Sequence, residues 1–294
     1  MKYDISGFLN VNKPEGCTSH DIVLKLRKSL GIKKIGHSGT LDPFAKGVLV
    51  TGINEATRLF EYLSSDKTYL AEITFGLSTN TDDITGKITG TTENIPTLRE
   101  IKKKINLFCG KIKQKPPLFS AVNVEGERAY KLARKDKISL DKLNEKIIEI
   151  YSFDILSYEN KKLKVKIHAS AGTYIRSIAR DLGKELQSLA ILSSLERTKA
   201  GKFTISESIN PNLIDSSSLA KYLISPVKVL ELEKMHITEE QVKDILFGRQ
   251  IKIKTSVKTN QLQLLDPNGN LIAVGEVINE DFVRPKKVFV KNES

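Results

Sequence analysis

A short polar block that ends in an apolar run constrains this chain more than any other segment. The block is GHSGTLDPFAKGVL, residues 36–49. Gly36 and Gly39 allow backbone angles that other residues resist, so the loop can turn tightly and approach a ligand. Pro43 fixes its own φ and favours an extended conformation for Asp42. The apolar run predicts a buried strand that anchors the loop. The block therefore places one carboxylate at the edge of a core.

Two interpretations of Asp42 are open at this level. A carboxylate held on a rigid turn is what a nucleophile or a general base requires. Thr-Leu-Asp-Pro is also a common turn in which the aspartate only accepts hydrogen bonds from nearby backbone N–H groups. Local chemistry does not choose between them, so the choice depends on the rest of the chain.

Composition indicates a globular chain with a polyanionic partner. The 294 residues, 39% of them hydrophobic, are enough for a well-buried core and for two domains. Lys and Arg number 47 against 35 Asp and Glu, a net charge of +12, and most of the excess precedes residue 234. Such an excess favours a nucleic acid over an anionic membrane surface. The alternative is that the lysines only keep the protein soluble.

Several classes of protein are not indicated. Cys17 and Cys109 form no Cys-x-x-Cys pair and no zinc set with the four histidines, and a reducing cytoplasm fits them. The phosphate-binding, dinucleotide-binding and Gly-x-Ser-x-Gly motifs are missing from the sequence. The N-terminus has no apolar signal core, and no run approaches the about 18 apolar residues that span a bilayer. We expect a soluble cytoplasmic protein without a membrane segment or a zinc site.

Periodicity predicts strands with helices between them, as in a mixed α/β chain. Ser19 is the predicted cap of the first helix and Gly31 its end. The predicted strands are Gly7–Val11, 48–50, Lys67–Gly76, Ile147–Ile155 and Leu163–Ala169, and the predicted helices are 19–30, Glu55–Leu63, Thr97–Phe108 and Tyr174–Leu186.

The last part of the chain predicts a small β-rich module. Thr238 caps a short helix that ends at Gly248. Three predicted strands follow, at Gln261–Leu265, Leu271–Val277 and Lys287–Val290. We therefore predict two domains, residues 1–230 and 231–294.

Three further side chains could act with Asp42. Arg176 begins the predicted helix after a strand, and its charge could pair with Asp42 and keep it ionised. Tyr69 lies on the apolar side of a strand, and His37 stands in the same loop as Asp42. Each also has an ordinary interpretation, as an exposed arginine, a core tyrosine and a solvated histidine.

A basic segment covers residues 114–140. It begins with QKPPLFSAV and continues with Arg128, Lys131, Arg134, Lys135 and Lys137. These charges fit either a solvated helix face or a flap that closes over a phosphate backbone.

Taken together, these segments resemble the bacterial tRNA pseudouridine-55 synthases, the TruB family, over nearly the whole chain. The tail more weakly resembles a PUA domain, through Gly248-Arg249, 266–269 and Arg284-Pro285. Phe44, Lys46 and Ala171 depart from residues that the family often has at these positions. The matching segments are GFLNVNKP from residue 7, the block 36–49, KTY from 67, QKPPLFSAV from 114, AYKLAR from 129, GTYIRSIARDL from 172 and LERT from 195.

The resemblance implies an α+β pseudouridine synthase fold. Its parts are a mixed, mainly antiparallel central sheet flanked by helices and a small C-terminal β-barrel, PUA-like, that binds RNA. The implied enzyme isomerises uridine 55 in the T-stem-loop of tRNA, after flipping the base out of its stack, without cofactor or metal. We expect a monomer with no obligatory protein partner and an accessory role in tRNA folding.

The resemblance also assigns roles. Asp42 would be the nucleophile or base, Arg176 would hold it, and Tyr69 would stack on the flipped base and take its C5 proton. His37 would enter the vacated stack, and Leu195 would line an apolar pocket. The implied catalytic residues are Asp42, Tyr69 and Arg176, and the implied substrate-binding residues are His37, Lys13, Pro14, Tyr174 and Leu195, with Lys13 and Pro14 supporting the loop.

Two alternatives stay open. The guide-RNA-dependent enzyme of archaea and eukaryotes shares the loop GHSGTLDP, but the segment Gln114–Lys137 resembles the stand-alone bacterial type. An RNA-binding chaperone, with catalysis secondary, is the other alternative.

Overall fold

The computed structural model describes residues 5–253 and 259–289. Their helices are α1 (Ser19–Leu30), α2 (Leu98–Lys104), α3 (Ala129–Ala133), α4 (Ile175–Glu185), α5 (Leu219–Tyr222), α6 (Pro226–Val229) and α7 (Glu239–Leu246). Short 3₁₀ helices cover Asn54–Tyr62, Ile105–Phe108, Leu140–Lys142, Ile205–Glu207 and Pro211–Leu213. The strands are β1 (Gly7–Lys13), β2 (Ile35–Ser38), β3 (Lys46–Ile53), β4 (Lys67–Phe75), β5 (Leu77–Thr79), β6 (Ile88–Thr91), β7 (Gly110–Gln114), β8 (Asn123–Val124), β9 (Glu127–Arg128), β10 (Lys146–Glu159), β11 (Lys162–Ala169), β12 (Ala190–Ala200), β13 (Phe203–Thr204), β14 (Glu233–His236), β15 (Ile251–Lys252), β16 (Gln261–Leu265), β17 (Leu271–Asn279) and β18 (Phe282–Val288).

A large sheet carries the first part of the chain. Its order is β1-β3-β12-β4-β11-β10-β7, with β2 beside β3 and β13 beside β12. Only β3 and β12 run parallel, and the other described pairs are antiparallel. The predicted mixed, mainly antiparallel sheet is therefore confirmed. Its order places β12 between the strand that follows the Asp42 loop and the strand that carries Tyr69.

The core forms where the side of strand β4 that carries every second residue packs against the apolar face of helix α4. On β4, Ala71, Ile73 and Phe75 lie on one side and are at most 5% exposed. On α4, Ile178 and Leu182 are at most 1% exposed and belong to the same apolar cluster. Burying each such large side chain stabilises the fold by about 1.5–3 kcal/mol. This packing fixes α4, and with it Arg176, against the sheet.

The first helix is capped by Thr18, so the prediction of Ser19 as the cap is wrong. Thr18 accepts a hydrogen bond from the Asp21 N–H at 3.1 Å, and the Asp21 carboxylate accepts one from the Thr18 N–H at 2.8 Å. This reciprocal pair selects Thr18, because only Thr18 has an acidic residue three positions later. The helix ends at Gly31 as predicted, with φ 67°.

Ser19 instead turns inward, and only 1% of it is exposed. Its hydroxyl accepts a hydrogen bond from the Leu41 N–H at 2.9 Å and donates one to the Leu41 carbonyl at 3.2 Å. The first turn of α1 therefore holds the backbone of the residue next to Asp42.

The backbone of the Asp42 loop requires two glycines, but not the pair that was predicted. Gly39 has φ 80°, whereas Gly36 lies in β2 outside the positive-φ region. Gly47 has φ 105°, and a Cβ atom there would lie 2.3 Å from the Arg197 carbonyl oxygen. Gly47 is thus needed where β3 and β12 begin to pair.

The last part of the chain forms a second sheet of order β14-β16-β17-β18-β15. Within the described residues the ladder ends at β14 and β15, so this sheet is a curled half-barrel, consistent with the predicted small PUA-like domain. Thr238 caps α7 with Gln241 as predicted. The third predicted strand begins earlier, at Phe282, and Val290 lies outside the described residues.

This second sheet packs on the first 3₁₀ helix. Lys287 donates a hydrogen bond to the Arg58 carbonyl at 2.9 Å, and Arg58 donates one to the Val288 carbonyl at 3.2 Å. Lys287 also forms an ion pair with Glu61. The predicted boundary at 230/231 falls between α6 and β14 and stays a prediction.

No described helix is both long and apolar enough to cross a membrane. Among residues 5–253 and 259–289, no three His, Cys, Asp or Glu side chains group as a metal ion would need.

Candidate active site

A cavity of about 530 Å³ opens beside the Asp42 loop. The Asp42 loop, β4, the start of α4 and β12 supply its wall. His37, Lys13 and Pro14 do not line it. The predicted site residues that do are Asp42, Tyr69, Tyr174, Arg176 and Leu195.

Asp42 and Arg176 form an ion pair inside this cavity. Arg176 Nη2 donates to Asp42 Oδ1 at 2.9 Å, although the two residues are far apart in sequence. The Asp42 side chain is 32% exposed and that of Arg176 only 6%. Burial raises the pKa of Asp42, and the charge of Arg176 opposes this shift. The interpretation of Arg176 as an exposed arginine is therefore wrong, and Asp42 accepts a hydrogen bond from a distant side chain and not only from nearby backbone N–H groups.

Arg176 is held by a second carboxylate and by two backbone carbonyls. Its guanidinium donates to the Thr81 carbonyl at 3.0 Å and to the Phe119 carbonyl at 3.1 Å, and it lies 3.5 Å from Asp83 Oδ2. Asp83 is 4% exposed and accepts hydrogen bonds from the hydroxyls of Thr81 and Thr85. Sequence reasoning missed Asp83 and read its segment as a loop. The threonines two positions before and after it were the available signal.

A second aspartate–arginine pair lies beside the first. Arg180, one turn after Arg176 on α4, bonds Asp82 at 3.0 Å and the Lys115 carbonyl at 3.0 Å. The two consecutive aspartates, Asp82 and Asp83, thus each contact an arginine of the same helix. This double pairing fixes the position of α4 relative to the loop 79–86.

Tyr69 lies at the closed side of the cavity and is 7% exposed. On β4 it pairs with Ile167 of β11 and Arg197 of β12. Burial raises the pKa of Tyr69, and the nearby guanidinium of Arg197 opposes that shift. Tyr69 is therefore a core residue and a cavity residue at once.

Arg197 is a site residue that sequence reasoning did not assign. It is 1% exposed and donates to the Val48 carbonyl at 2.7 Å and the Gly39 carbonyl at 3.0 Å. It therefore connects the Asp42 loop to Tyr69. It lies within LERT, a segment of the family resemblance from which only Leu195 was assigned a role.

Lys13 lies beneath the Asp42 loop and is fully buried. Its ammonium donates to the carbonyls of Pro14, Cys17 and Pro43 at 3.0, 2.7 and 3.4 Å. Burial lowers the pKa of Lys13. Its position matches support of the loop and leaves no surface for contact with a substrate.

His37 lies in β2 opposite Thr51, outside the cavity lining. It is half-buried, and its Nδ1 atom makes no hydrogen bond within the described residues. Burial and, secondarily, the charge of Arg197 lower the pKa of His37. The imidazole is therefore uncharged at neutral pH.

The basic segment joins the cavity through its first residues. The Gln114 side chain accepts from the Tyr174 N–H at 2.9 Å and donates to the Tyr174 carbonyl at 3.1 Å. Phe119, Ser120 and Ala121 line the cavity, and Arg128 is exposed on the hairpin beyond them. The segment therefore begins at the active site and extends outward.

Solved structures share this fold. The chain in "Structure of H/ACA RNP bound to a substrate RNA containing 2'-deoxyuridine" has a TM-score of 0.73, covers 98% of this chain and 86% of its own length, and is 23% identical. The chain in "Crystal structure of the archaeal box H/ACA sRNP Nop10-Cbf5 complex" has a TM-score of 0.70, with 98% and 87% covered and 21% identity. At these identities the likeness concerns the fold alone.

Sequence comparison defines the class. Residues 27–175 match the family described as "TruB family pseudouridylate synthase (N terminal domain)", so the class of protein is that of the pseudouridylate synthases, which are isomerases. A protein named tRNA pseudouridine synthase B from Microcystis aeruginosa is 42% identical over 96% of this chain and 98% of its own. Its namesake from Thermosipho melanesiensis is 41% identical over 92% and 90%. The chain belongs to the TruB family.

Proposed function

We propose that this protein converts uridine 55 in the T-stem-loop of tRNA to pseudouridine, and that Asp42 starts the reaction. The observation that carries the proposal is the Asp42–Arg176 ion pair inside a cavity that Tyr69 and Leu195 also line. The relatives named tRNA pseudouridine synthase B supply the substrate class.

The reaction is balanced without a co-reactant. The N1–C1′ bond breaks, the base turns, and a C5–C1′ bond forms. The C5 proton is lost and N1 ends with a proton, so no atoms or electrons are exchanged with another molecule. A carboxylate serves this sequence either as a nucleophile or as the base that forms a glycal intermediate.

Arg176 keeps the Asp42 carboxylate ionised and oriented. Without a cation, burial would favour the neutral acid, which is neither a nucleophile nor a base. The Arg176 guanidinium opposes that effect at 2.9 Å and also fixes the direction of the Asp42 carboxylate. Its remaining contacts with Asp83 and two carbonyls hold the guanidinium itself in place.

Tyr69 and Leu195 act on the flipped base. The Tyr69 ring stacks on the uracil, and in the last step its phenolate oxygen, after the hydroxyl has released its own proton to solvent, accepts the C5 proton. The Arg197 charge beside it stabilises the negative charge that this transfer requires. Leu195 is 6% exposed on the same wall and helps exclude water from the cleaved intermediate.

Access to the uridine requires removing it from its stack, at a few kcal/mol. The uncharged ring of His37, outside the cavity, enters the vacated position. The basic segment 114–140 closes over the RNA, where its charges contact phosphates. Phosphate contacts supply affinity, and the shape of the folded T-loop supplies selectivity.

The same proposal covers the organisation of the protein. A catalytic domain, residues 1–230, acts as a monomer in the cytoplasm, and a PUA-like domain, residues 231–294, adds RNA contacts. The protein needs no protein partner, in contrast to the complexes with Nop10 and Gar1 named for a structure of the same fold. It also assists tRNA folding.

Mapping of pseudouridine in a tRNA transcript and in an isolated T-stem-loop tests the proposal. Purified protein alone is expected to modify position 55 of both. Asp42→Asn is expected to abolish the product, whereas Asp154→Asn, an exposed residue of β10, leaves it unchanged. A dependence on added proteins would contradict the stand-alone assignment, and undiminished turnover by Asp42→Asn would contradict the role of Asp42.

A further inference from the structure

Two cationic side chains flank the Asp42 loop on the side of Gly39. Lys67 and Arg197 both line the cavity. A Cβ atom on Gly39 would lie 3.2 Å from Lys67 Cε and 3.5 Å from Arg197 Nη1. Both cations therefore contact the catalytic loop three residues before Asp42. The absence of a side chain at Gly39 keeps the space beside them open.

These cations lack the carboxylate partners that Arg176 has. Lys67 Nζ donates to the Ser65 carbonyl at 2.8 Å and forms no ion pair within the described residues. The adjacent carboxylate of Asp66 is bonded to Ser64 and to His168 instead. Arg197 likewise contacts backbone carbonyls. Within the part of the chain that the structure describes, this part of the cavity wall thus carries positive charge that no ion pair with a carboxylate neutralises.

The pKa of Lys67 reflects this unpaired positive charge. Burial, and then the charge of Arg197, lower the pKa of Lys67 to about 8, and Asp66 opposes the shift only in part. Placing an anion beside a half-buried ammonium reverses both effects. The free protein therefore holds a site where an anionic group would be stabilised.

We infer that Lys67 binds a phosphodiester group of the RNA adjacent to the target nucleotide. The Asp42 end of the cavity then takes the nucleoside, and the Lys67 end takes its sugar-phosphate backbone. Ser65 and Lys202 line the same end and add a hydroxyl and a second ammonium. This inference rests on the proposed function, because it assumes that RNA is the ligand.

The flipping of the target nucleotide explains why a phosphate-binding site lies next to the cavity. Rotating a nucleotide out of its stack moves the flanking phosphate with it. A cation fixed near Gly39 holds that phosphate only when the nucleotide has entered the cavity. Lys67 is therefore a binding residue that stabilises the flipped state, and it does not take part in proton transfer.

Kinetics of Lys67→Met and Lys67→Arg on a T-stem-loop RNA test this inference. Lys67→Met is expected to raise KM about 10-fold or more and to leave kcat within about 3-fold. The slope of log KM against the logarithm of the salt concentration is expected to be smaller for this variant by about 0.7–1. Lys67→Arg retains the charge and is expected to retain both values. A fall of kcat with unchanged KM, or no change at all, would overturn the inference. Equal melting temperatures show that both variants are folded.

Neutral linkages identify the phosphate. Methylphosphonate is placed singly on either side of the target uridine. At one of these positions it is expected to raise KM for the wild-type protein and to have no further effect on Lys67→Met. If, at both linkages, methylphosphonate and Lys67→Met raise KM by independent factors that multiply, the assignment is overturned.

The pH dependence gives a third readout. The charged groups that face Lys67 are Arg197 from β12 and Asp66 from the segment before β4. Deprotonation of Lys67 removes its charge, so the wild-type KM is expected to rise above pH 8, whereas that of Lys67→Arg stays level to pH 9. Identical profiles would count against the inference.

If the wild-type protein forms no pseudouridine at all, the proposed function fails. If it does and Lys67→Met matches it, only this inference fails.

Discussion

Arg176 Nη2 donates a hydrogen bond to Asp42 Oδ1 at 2.9 Å, so residues from a loop and a distant helix form one buried ion pair. The arginine is more buried than the aspartate, and Asp83 also faces it. Both residues line the cavity, and the aspartate is the more accessible member of the pair. This asymmetry leaves the carboxylate accessible from the cavity while the arginine is held in place.

The pH profile of catalysis depends on this pair. Arg176→Gln removes the cation that opposes the effect of burial, so the pKa of Asp42 rises further. In the proposed mechanism catalysis needs the ionised Asp42 carboxylate and is lost as pH falls through its pKa, so we expect the acid limb to move to higher pH. We expect single-turnover rates at neutral pH to fall by about 100-fold or more.

The control is Arg99→Gln, an exposed residue of α2. Breaking a buried ion pair also destabilises the fold, by about 3–5 kcal/mol, so the rates are measured below the melting temperature of the variant. An acid limb that stays in place would show that Arg176 does not control the ionisation of Asp42.

The neighbouring Asp82–Arg180 pair is expected to act as one unit. Asp82→Asn and Arg180→Gln each remove one member of a pair 3.0 Å apart and mostly buried. Asparagine also tolerates the positive φ of 61° at position 82. Each variant is expected to lose about 3–5 kcal/mol of unfolding free energy, as for other buried ion pairs, with non-additive losses in the double variant. Urea denaturation measures this, and strictly additive losses would contradict it.

Ser19→Ala is expected to affect both stability and activity. It leaves the buried N–H group of Leu41 without its partner, at a cost of about 1–3 kcal/mol, and frees the backbone next to Asp42. Thr18→Ala is the matched variant, because it removes only the helix cap and costs about 1 kcal/mol. We expect a lower kcat for Ser19→Ala alone, and equal kcat values would show that the contact is purely structural.

Gly47→Ala is expected to destabilise the fold by more than about 3 kcal/mol. Its φ is 105°, and the added Cβ would lie 2.3 Å from a backbone oxygen of β12, which cannot move without breaking the sheet. Gly16→Ala is the control, since its φ is 86° but nothing lies within 4 Å of the added atom. The control is expected to cost only about 1 kcal/mol. Similar urea midpoints for both variants would contradict the proposed clash.

Local features were predictable because their causes are local. The capping boxes at Thr97 and Thr238 and the end of α1 at Gly31 follow from residues within three or four positions. The alternation of β4 indicates a strand with one buried side, and that side is buried. The function was predicted from the match of many short segments to one family.

The choice of Thr18 over Ser19 as the helix cap was available in the sequence, because the capping box needs only Asp21 three positions later. The inward contact of Ser19 with Leu41 and the need for Gly47 instead of Gly36 were not available. Leu41 and β12 approach these residues from positions that are distant in sequence.

The sequence by itself determined which chemical groups this protein carries and which short segments hold them, including a carboxylate on a glycine-rich loop and an arginine at a helix start. Only the tertiary structure decided that Asp42, Arg176 and Tyr69 line one cavity, that Asp83 and Arg197 belong with them, and that Lys13 lies beneath the loop. The physical reason is that strand order and register, here β3-β12-β4, set these distances. Strand order depends on the packing of the whole sheet and not on any local pattern.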